Sequence, residues 1–248
     1  RQGQKMMELL APAGSLEALK TAVLYGADAV YVGGEMYGLR AKAKNFDKGQ
    51  LAEGVAFAHA HGVRVHVTVN IIAHNQHLAG LRDYLLYLQQ IKVDALIMAD
   101  AGMIALAREV VPQMEIHLST QASATNYATF NFWHQQGVQR VVAARELSLE
   151  EIKEIRSHTP KTLQIEAFAH GAMCISISGR CLLSHYLTGR DSNLGACTHP
   201  CRWQYRLVEE SRPGEYFPIA EGEEGTYIFN SKDLCMVEYL PELAGAGV

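Results

Sequence analysis

The chain has 248 residues, of which 48% are hydrophobic and 19% charged, and its formal net charge is −4. These proportions are typical of a globular protein, and the acidic excess argues against nonspecific nucleic-acid binding by the whole surface while leaving room for a local basic patch. No apolar run is long enough for a membrane span, and the polar start, RQGQK, lacks the core of a signal peptide, so we expect a cytoplasmic protein with no membrane partner.

A short apolar run and an amphipathic stretch alternate along the chain. The amphipathic stretches have helical spacing, and glycines stand where three of these helices are expected to end, at Gly26, Gly62 and Gly137. The apolar runs predict seven β-strands, at Glu8–Ala11, Ala29–Val32, Arg64–Asn70, Ala95–Asp100, Glu115–Thr120, Arg140–Arg145 and Leu163–Ala169. Strands that alternate with helices in this way predict a parallel sheet.

Two α/β architectures accommodate these units, an open doubly wound sheet and a closed barrel. Seven regular units without a long crossover favour a (β/α)8 TIM-like barrel. The last residues, PELAGAGV, again read as a helix end, a glycine and a first strand residue, so we expect the eighth strand just beyond the chain end and a longer natural protein. We therefore divide the chain into barrel strands one to seven (1–171), a cysteine-rich insertion (172–233) and the last barrel helix (234–248).

The insertion breaks the alternating pattern. Its segment RPGEYFPIAEGEEG, residues 212–225, predicts an excursion with a hairpin. The five cysteines all lie late in the chain, at Cys174, Cys181, Cys197, Cys201 and Cys235. Clustered thiols in a cytoplasmic chain indicate metal binding or catalysis more than disulfides. The paired C-x-x-C motifs of zinc modules are absent, and the spacing favours an iron–sulfur cluster, but zinc and unrelated core thiols stay open on spacing alone.

Polar residues follow several predicted strands, at the end where barrel active sites lie. Asp100 and Ser119 are equally well explained as helix caps. Arg145 suits an anionic substrate because its guanidinium can form paired hydrogen bonds. The set expected to form a polar pocket is Asn70, Asp100, Gln121, Arg145 and His170.

Two further groups of residues have a predicted location but no assigned chemistry. His66 and His117 alternate with apolar neighbours, which indicates a position in the barrel wall or mouth. The arginines of the insertion predict a basic face, or a solvated face with local ion pairs, and they are Arg180, Arg190, Arg202 and Arg206.

The run EAFAHGAMCISISGRCLLS closely resembles the signature of the collagenase-like peptidases of family U32. The runs ELLAPAGSLEALKTAVLYGADAVYVGG, GACTHPCRWQY and GTYIFNSKDLCMVEYLPEL extend this likeness over nearly the whole chain. The family name records a peptidase assignment, but members are associated with oxygen-independent hydroxylation. One branch acts with a partner in ubiquinone synthesis, one modifies ribosomal RNA, and one hydroxylates the wobble uridine of tRNA with prephenate as the implicated oxygen source. The layout here looks most like the tRNA branch.

The resemblance implies a 4Fe-4S cluster held by Cys174, Cys181, Cys197 and a fourth thiol. We favour Cys235, expected at the start of the last helix, and leave Cys201 as the spare, although Cys201 fits a second member type. The cluster would lie over the barrel mouth.

The same resemblance implies that tRNA contacts the four arginines of the insertion. A protein partner is also implied. The residues expected to bind a small anionic co-substrate such as prephenate are Asn70, Gln121, Arg145 and His170. Two alternatives are a peptidase that uses Cys174 with His170, and a non-enzymatic iron–sulfur subunit.

Overall fold

Seven parallel strands form the main sheet. The computed structural model describes residues 7–38, 46–172, 176–177, 180–203, 207–208, 214, 216–217, 220–222, 225–227 and 233–248. In chain order the strands of the sheet are β1 Leu10–Pro12, β2 Ala29–Gly33, β3 Arg64–Val69, β4 Ala95–Met98, β5 Glu115–Leu118, β6 Arg140–Val142 and β7 Gln164–Glu166. The sheet is curled, because Glu8, two residues before β1, reaches Arg140 of β6, with 2.7 Å between the charged atoms. The sequential order lacks the reversal of a doubly wound sheet and confirms the barrel prediction.

Helices connect the strands and cover the outside of the sheet. They are α1 Leu16–Leu24, α2 Lys48–Ala60, α3 Asn75–Leu78, α4 Leu81–Gln90, α5 Ala101–Val110, α6 Tyr127–Gln135 and α7 Leu149–Ser157. Side-chain caps fix where several of them begin. Asp47 and Ser148 each form a capping box, and Asp100 accepts the backbone N–H of Met103. Gly62 and Gly137 have φ of 73° and 83°, the left-handed conformation expected where a helix ends.

The strands have two different faces. On β3, Val65, Val67 and Val69 point outward and are buried in the core that the helices complete. The alternate residues Arg64 and His66 lie on the opposite, inward face, because successive side chains of a strand point to opposite sides. The main apolar core therefore lies between the sheet and the helices, and on β3 the inward face carries polar side chains.

The chain after β7 forms a second, smaller set of elements. These are β8 His170–Ala172, α8 Leu183–Thr188, β9 Leu207–Val208, β10 Tyr216–Phe217, β11 Ala220–Gly222, β12 Gly225–Tyr227, β13 Asp233–Cys235 and α9 Leu240–Gly245. The antiparallel pairing of β11 with β12 confirms the predicted hairpin. None of the helices in the described part of the chain is long and apolar enough to cross a membrane. The three-part division and the eighth strand stay predictions.

The structure corrects the position of Cys235. We expected it at the start of the last helix, but it ends β13, where it pairs with His170 of β8. The N–H of Met236 continues this ribbon by donating to the carbonyl of Ala169 at 2.7 Å. The helix begins only at Leu240, because the backbone of residues 233–236 bonds to the segment after β7 instead of to its own next turn.

Candidate functional site

The loops after β3 and β5 meet at the C-terminal mouth of the barrel. Asn70 and Ser119 are both buried, and the Asn70 amide donates to the Ser119 hydroxyl at 3.4 Å. The same hydroxyl accepts the N–H of Gln121 at 3.3 Å and so caps the short helix Thr120–Ala122. The structure therefore brings the two predicted residues Asn70 and Gln121 together through Ser119. The alternative reading of Ser119 as a cap is confirmed.

Arg145 and His170 follow β6 and β7. The Arg145 guanidinium carbon lies 4.3 Å from the centroid of the Phe168 ring, a cation–π contact that orients the side chain. His170 is exposed and lies two residues beyond Phe168, on the ribbon that β8 forms with β13. Asp100 acts as the N-cap of α5, so its side chain has a structural task. The predicted pocket residues thus occupy successive loops of one mouth. Asp100 caps a helix, Arg145 packs against Phe168, and His170 is exposed on the β8–β13 ribbon.

Residues 180–203, here called the cysteine lobe, hold two thiols in similar turns. The sulfur of the buried Cys181 accepts the N–H of Leu183 at 3.3 Å, and that of Cys197 accepts the N–H of His199 at 3.4 Å. In both cases the donor lies two residues after the cysteine. Hydrogen bonds from backbone N–H groups to sulfur are a known feature of iron–sulfur ligation.

A hydroxyl network fixes the Cys197 turn to α8. The buried Ser184 hydroxyl donates to the carbonyl of Arg190 at 2.7 Å and accepts the N–H of Thr198 at 3.0 Å. Thr198 also contacts the hydroxyl of Thr188, 3.2 Å away. This network places Cys181, just before α8, and Cys197 in the same small unit.

The turn that connects Cys197 with Cys201 is strained. His199 has φ 53° and ψ 45°, a left-handed conformation that is costly for a residue with a side chain and doubly unusual before a proline. Cys201 follows in the short helix Pro200–Arg202 and is half-buried. Strain of this kind persists only where the surrounding structure holds it, which is common at ligand-binding turns.

The cysteine lobe lies against the barrel mouth. The Arg180 guanidinium Nε donates to the carbonyl of Gln121 at 2.9 Å, and the N–H of Ile72 donates to the carbonyl of Asn193 at 3.2 Å. A cavity of about 400 Å³ separates the two parts beside these contacts. It is lined by Ile72, His74, Arg180, Leu182, Asp191, Asn193 and Leu194.

The described thiols offer the soft sulfur donors that a thiolate-bound cofactor takes. Cys181, Cys197, Cys201 and Cys235 are reduced thiols, and Cys174 lies outside the described residues. Within the described ranges, no group of three or more histidine, cysteine or acidic side chains is close enough to hold a metal ion. The backbone N–H contacts at Cys181 and Cys197 suit sulfur ligands. These two thiols and Cys235 do not form such a group in the described residues, so the ligand set implied by the resemblance stays a prediction.

A second polar region, missed by the sequence analysis, fills the N-terminal half of the barrel. Arg140 pairs with Glu8 at 2.7 Å and with Glu166 at 3.2 Å, and Arg64 pairs with Glu115. These five side chains, here called the barrel ion network, come from β3, β5, β6 and β7 and from the residue that leads into β1. The alternation of Arg64 and His66 with valines was the available signal, because it marks inward positions.

Electrostatics in the barrel ion network follow from burial and pairing. The His117 ring, 3.6 Å away, and the Arg64 guanidinium hold the pKa of Glu115 down at about 2. Burial raises the pKa of Glu166, although Arg140 opposes this. Burial, with the His117 ring at 4.7 Å, lowers the pKa of His66 to about 2. Both histidines are fully buried, which confirms their predicted place in the barrel wall.

Comparison with known proteins gives the chain a family. The model of peptidase family U32 matches residues 14–248. The chain is 46% identical to tRNA hydroxylation protein P1 of Bacillus subtilis (strain 168), over 98% of this chain and 57% of that protein. It is 41% identical to the 23S rRNA 5-hydroxycytidine C2501 synthase of Escherichia coli (strain K12), over 82% of this chain and 30% of that protein.

The chain thus spans little more than half the length of its B. subtilis relative. Among solved structures it resembles the U32 peptidase Mk0906, with a TM-score of 0.59 and 17% identity over 71% of this chain and 73% of that one, which supports the fold alone. The family match and the extent of the identity show that the chain belongs to peptidase family U32.

Proposed function

We propose that the protein to which this chain belongs hydroxylates RNA without molecular oxygen, and that its target is the wobble uridine of tRNA. The observation that carries the proposal is the cysteine lobe, where Cys181 and Cys197 occupy matching N–H···S turns beside the barrel mouth. Relatives named for tRNA hydroxylation and for 5-hydroxycytidine synthesis support an RNA substrate. The tRNA target is proposed because the more similar of these two relatives carries that name.

The proposed cofactor is a 4Fe-4S cluster with ligands Cys174, Cys181, Cys197 and Cys235. A cluster of this kind supplies one-electron redox chemistry at the site. Cys235 is proposed as fourth ligand because the family resemblance implies it; in the structure it lies on the ribbon opposite His170, which stands four residues before Cys174 in the sequence. Cys201 is then the spare thiol.

The mouth residues are proposed to hold a small anionic co-substrate, with prephenate as the candidate. Arg145 would bind a carboxylate of the acid through paired hydrogen bonds, since Phe168 fixes its guanidinium plane. Asn70 and Gln121, on the loops after β3 and β5, are proposed to offer amide groups to the acid, and the exposed His170 is proposed to line the same mouth. A protein partner that delivers electrons would complete the system.

The cofactor is tested by anaerobic purification of the full-length protein with iron and sulfide analysis and a visible spectrum. The wild type should be brown and contain iron, and Cys197→Ser should lose most of it. Cys201→Ser is the matched control and should keep its iron. Colourless wild-type protein that cleaves peptides would refute the proposal and support the peptidase with Cys174 and His170 as its pair.

The reaction is tested by nucleoside mass spectrometry of tRNA and 23S rRNA. The full-length protein is expressed in a bacterial strain that lacks its own tRNA hydroxylation protein. We expect 5-hydroxyuridine derivatives to return in tRNA with the wild type and not with Cys197→Ser. A product in rRNA alone would contradict the tRNA assignment, and an iron-containing protein that restores neither modification would favour a non-enzymatic subunit.

A further inference from the structure

The cysteine lobe exposes large apolar side chains beside the barrel mouth. Tyr186 on α8 is 84% exposed and Leu182 is 73% exposed. The two are four residues apart, and the N–H of Tyr186 donates to the carbonyl of Leu182, so both side chains lie on one face of the helix. We call this pair the α8 ridge. Contiguous exposed apolar surface usually marks an interaction site.

The charge around the α8 ridge is positive. Arg180 and Arg190 stand before and after α8, and both are exposed. Residues 176–203 contain three arginines and one acidic residue, Asp191, a local charge of +2 in a chain whose total is −4. The Asp191 carboxylate already accepts the N–H of Asn193 at 2.8 Å. A partner that carries negative charge and planar apolar groups complements this surface.

The cavity between the cysteine lobe and the mouth adjoins the α8 ridge, because Leu182 belongs to both. Its volume of about 400 Å³ lies within the range of roughly 300–1,000 Å³ common for small-molecule pockets. Arg180 also lines it, and the hydrogen bond from its Nε to Gln121 sets the direction of the guanidinium. The cavity therefore combines a fixed cation, Arg180, with a wall residue, Leu182, that also belongs to the α8 ridge.

We infer that the cysteine lobe binds unpaired RNA, with one base stacked on Tyr186 beside Leu182 and its neighbour extruded into the cavity. Arg180 and Arg190 contact the flanking phosphates. Every nucleobase has a flat face that stacks on an aromatic ring, and an enzyme that modifies a base must take it out of the stack. This inference rests on the proposed RNA hydroxylation and names the surface that the RNA uses.

The stacking contact is tested by fluorescence anisotropy of the full-length protein with an unmodified anticodon stem–loop RNA. Tyr186→Ala should weaken binding about tenfold, and Tyr186→Phe should stay within about twofold of the wild type, because phenylalanine keeps the stacking face. Tyr25→Ala is the matched control, since Tyr25 is 88% exposed just after α1, at the opposite end of the barrel. It should bind like the wild type.

The phosphate contact is tested by the salt dependence of the same binding. Arg190→Ala should lower the slope of log affinity against log salt by about 0.7, the value for one phosphate on a single strand. Arg82→Ala, which removes an exposed arginine of α4, should leave the slope unchanged. Iron analysis of each variant checks that the lobe has kept its structure.

The outcomes separate this inference from the proposed function. If the wild type restores 5-hydroxyuridine in tRNA but Tyr186→Ala binds RNA as tightly as Tyr25→Ala, the inference is overturned and the function stands. A Tyr186→Ala variant that loses a protein partner while its RNA affinity is intact overturns it too. Wild-type protein that neither binds the RNA nor restores the modification overturns both. Weaker binding by Tyr186→Ala, with Tyr186→Phe unaffected, supports the inference.

Discussion

The barrel interior buries its charged side chains in ion pairs, whereas the cysteine lobe exposes polar side chains to solvent. In the interior, Arg140 is almost fully buried and has two carboxylate partners, Glu8 and Glu166. In the lobe, Arg190 and Tyr186 face solvent. A buried charge must be paired, because desolvation costs several kcal/mol per ion, whereas an exposed side chain is available to a ligand. The comparison separates the part of the molecule that is held by its own contacts from the part that is open to others.

The two regions also differ in what holds them together. The interior joins parts of the chain that lie far apart in the sequence. Glu8 precedes β1 and Arg140 begins β6, 132 residues later. The lobe is joined by short-range bonds from hydroxyls to backbone groups, such as Ser184 to Arg190. Regions with few buried apolar contacts open most easily, and ligand-binding segments are commonly drawn from them. A thiolate-bound cofactor would add the cross-links that the lobe lacks.

The largest effect should come from removing the buried cation of the barrel ion network. Arg140→Met leaves the Glu166 carboxylate unpaired, and we expect the free energy of unfolding to fall by about 3–5 kcal/mol. Urea denaturation followed by circular dichroism measures this. Adding Glu166→Gln should recover part of the loss, because the uncompensated charge is gone. Arg82→Met, on the surface, should change stability by less than about 0.5 kcal/mol; an equal loss in both variants would contradict the comparison.

The pH dependence of stability should report the buried histidines. The pKa of His66 is about 2 in the fold, against an ordinary value of 6.5, so below pH 6.5 the unfolded chain binds a proton that the fold excludes. The pKa of His117 is lowered as well. Stability should therefore fall as the pH drops below 6.5, by up to about 1.4 kcal/mol per pH unit for each ring.

The control for this slope is His66→Gln, which should remove about half of it. Arg140 keeps its charge throughout, because Glu8 and Glu166 raise its pKa against the opposing effect of burial. The pKa of Glu166 is raised, so its protonation favours the fold and opposes the slope, while Glu115 titrates only at lower pH. Denaturation at pH values just above and below 6.5 measures the difference. A wild-type slope that persists unchanged in His66→Gln would show that His66 does not carry it.

The sequence predicts where the strands lie but not which side chains meet between them. Alternating or continuous apolar residues predicted all seven strands and their order, because a parallel sheet buried by helices needs that pattern. The same alternation marks Arg64 and His66 as inward, yet it cannot say that Arg64 meets Glu115 two strands away. Such pairings depend on strand tilt and side-chain length, which the pattern does not encode.

The candidate site shows the same limit. Polar residues at strand ends predicted Asn70 and Gln121 in one mouth, since the topology of the barrel alone brings them there. Cys235 was misplaced because its neighbours, Leu234 and Met236, suit a helix as well as a strand. Its actual pairing with His170 depends on a backbone register between two distant segments, and local residue preferences carry no information about that register.

A smaller, local effect should follow from Ser184→Ala in the cysteine lobe. The change leaves the carbonyl of Arg190 and the N–H of Thr198 without the hydroxyl that bonds both, a loss of about 1–2 kcal/mol. Hydrogen exchange should become faster by roughly 5- to 30-fold in residues 181–203, while β3 amides keep their rates. Ser157→Ala, at an exposed helix end, is the control. Equal acceleration in β3 would mean that lobe and barrel unfold as one unit.

The smallest effect should come from an ion pair with the same geometry as one in the barrel ion network but with different burial. Lys20 and Glu53 approach to 2.7 Å, as Arg140 and Glu8 do, yet their side chains are 38% and 56% exposed. Water screens the pair and already solvates both ions, so a double-mutant cycle with Lys20→Met and Glu53→Gln should give a coupling of only about 0.2–1 kcal/mol, which added salt lowers further. A coupling as large as that between Arg140 and Glu8 would mean that distance, and not burial, decides the energy of these pairs.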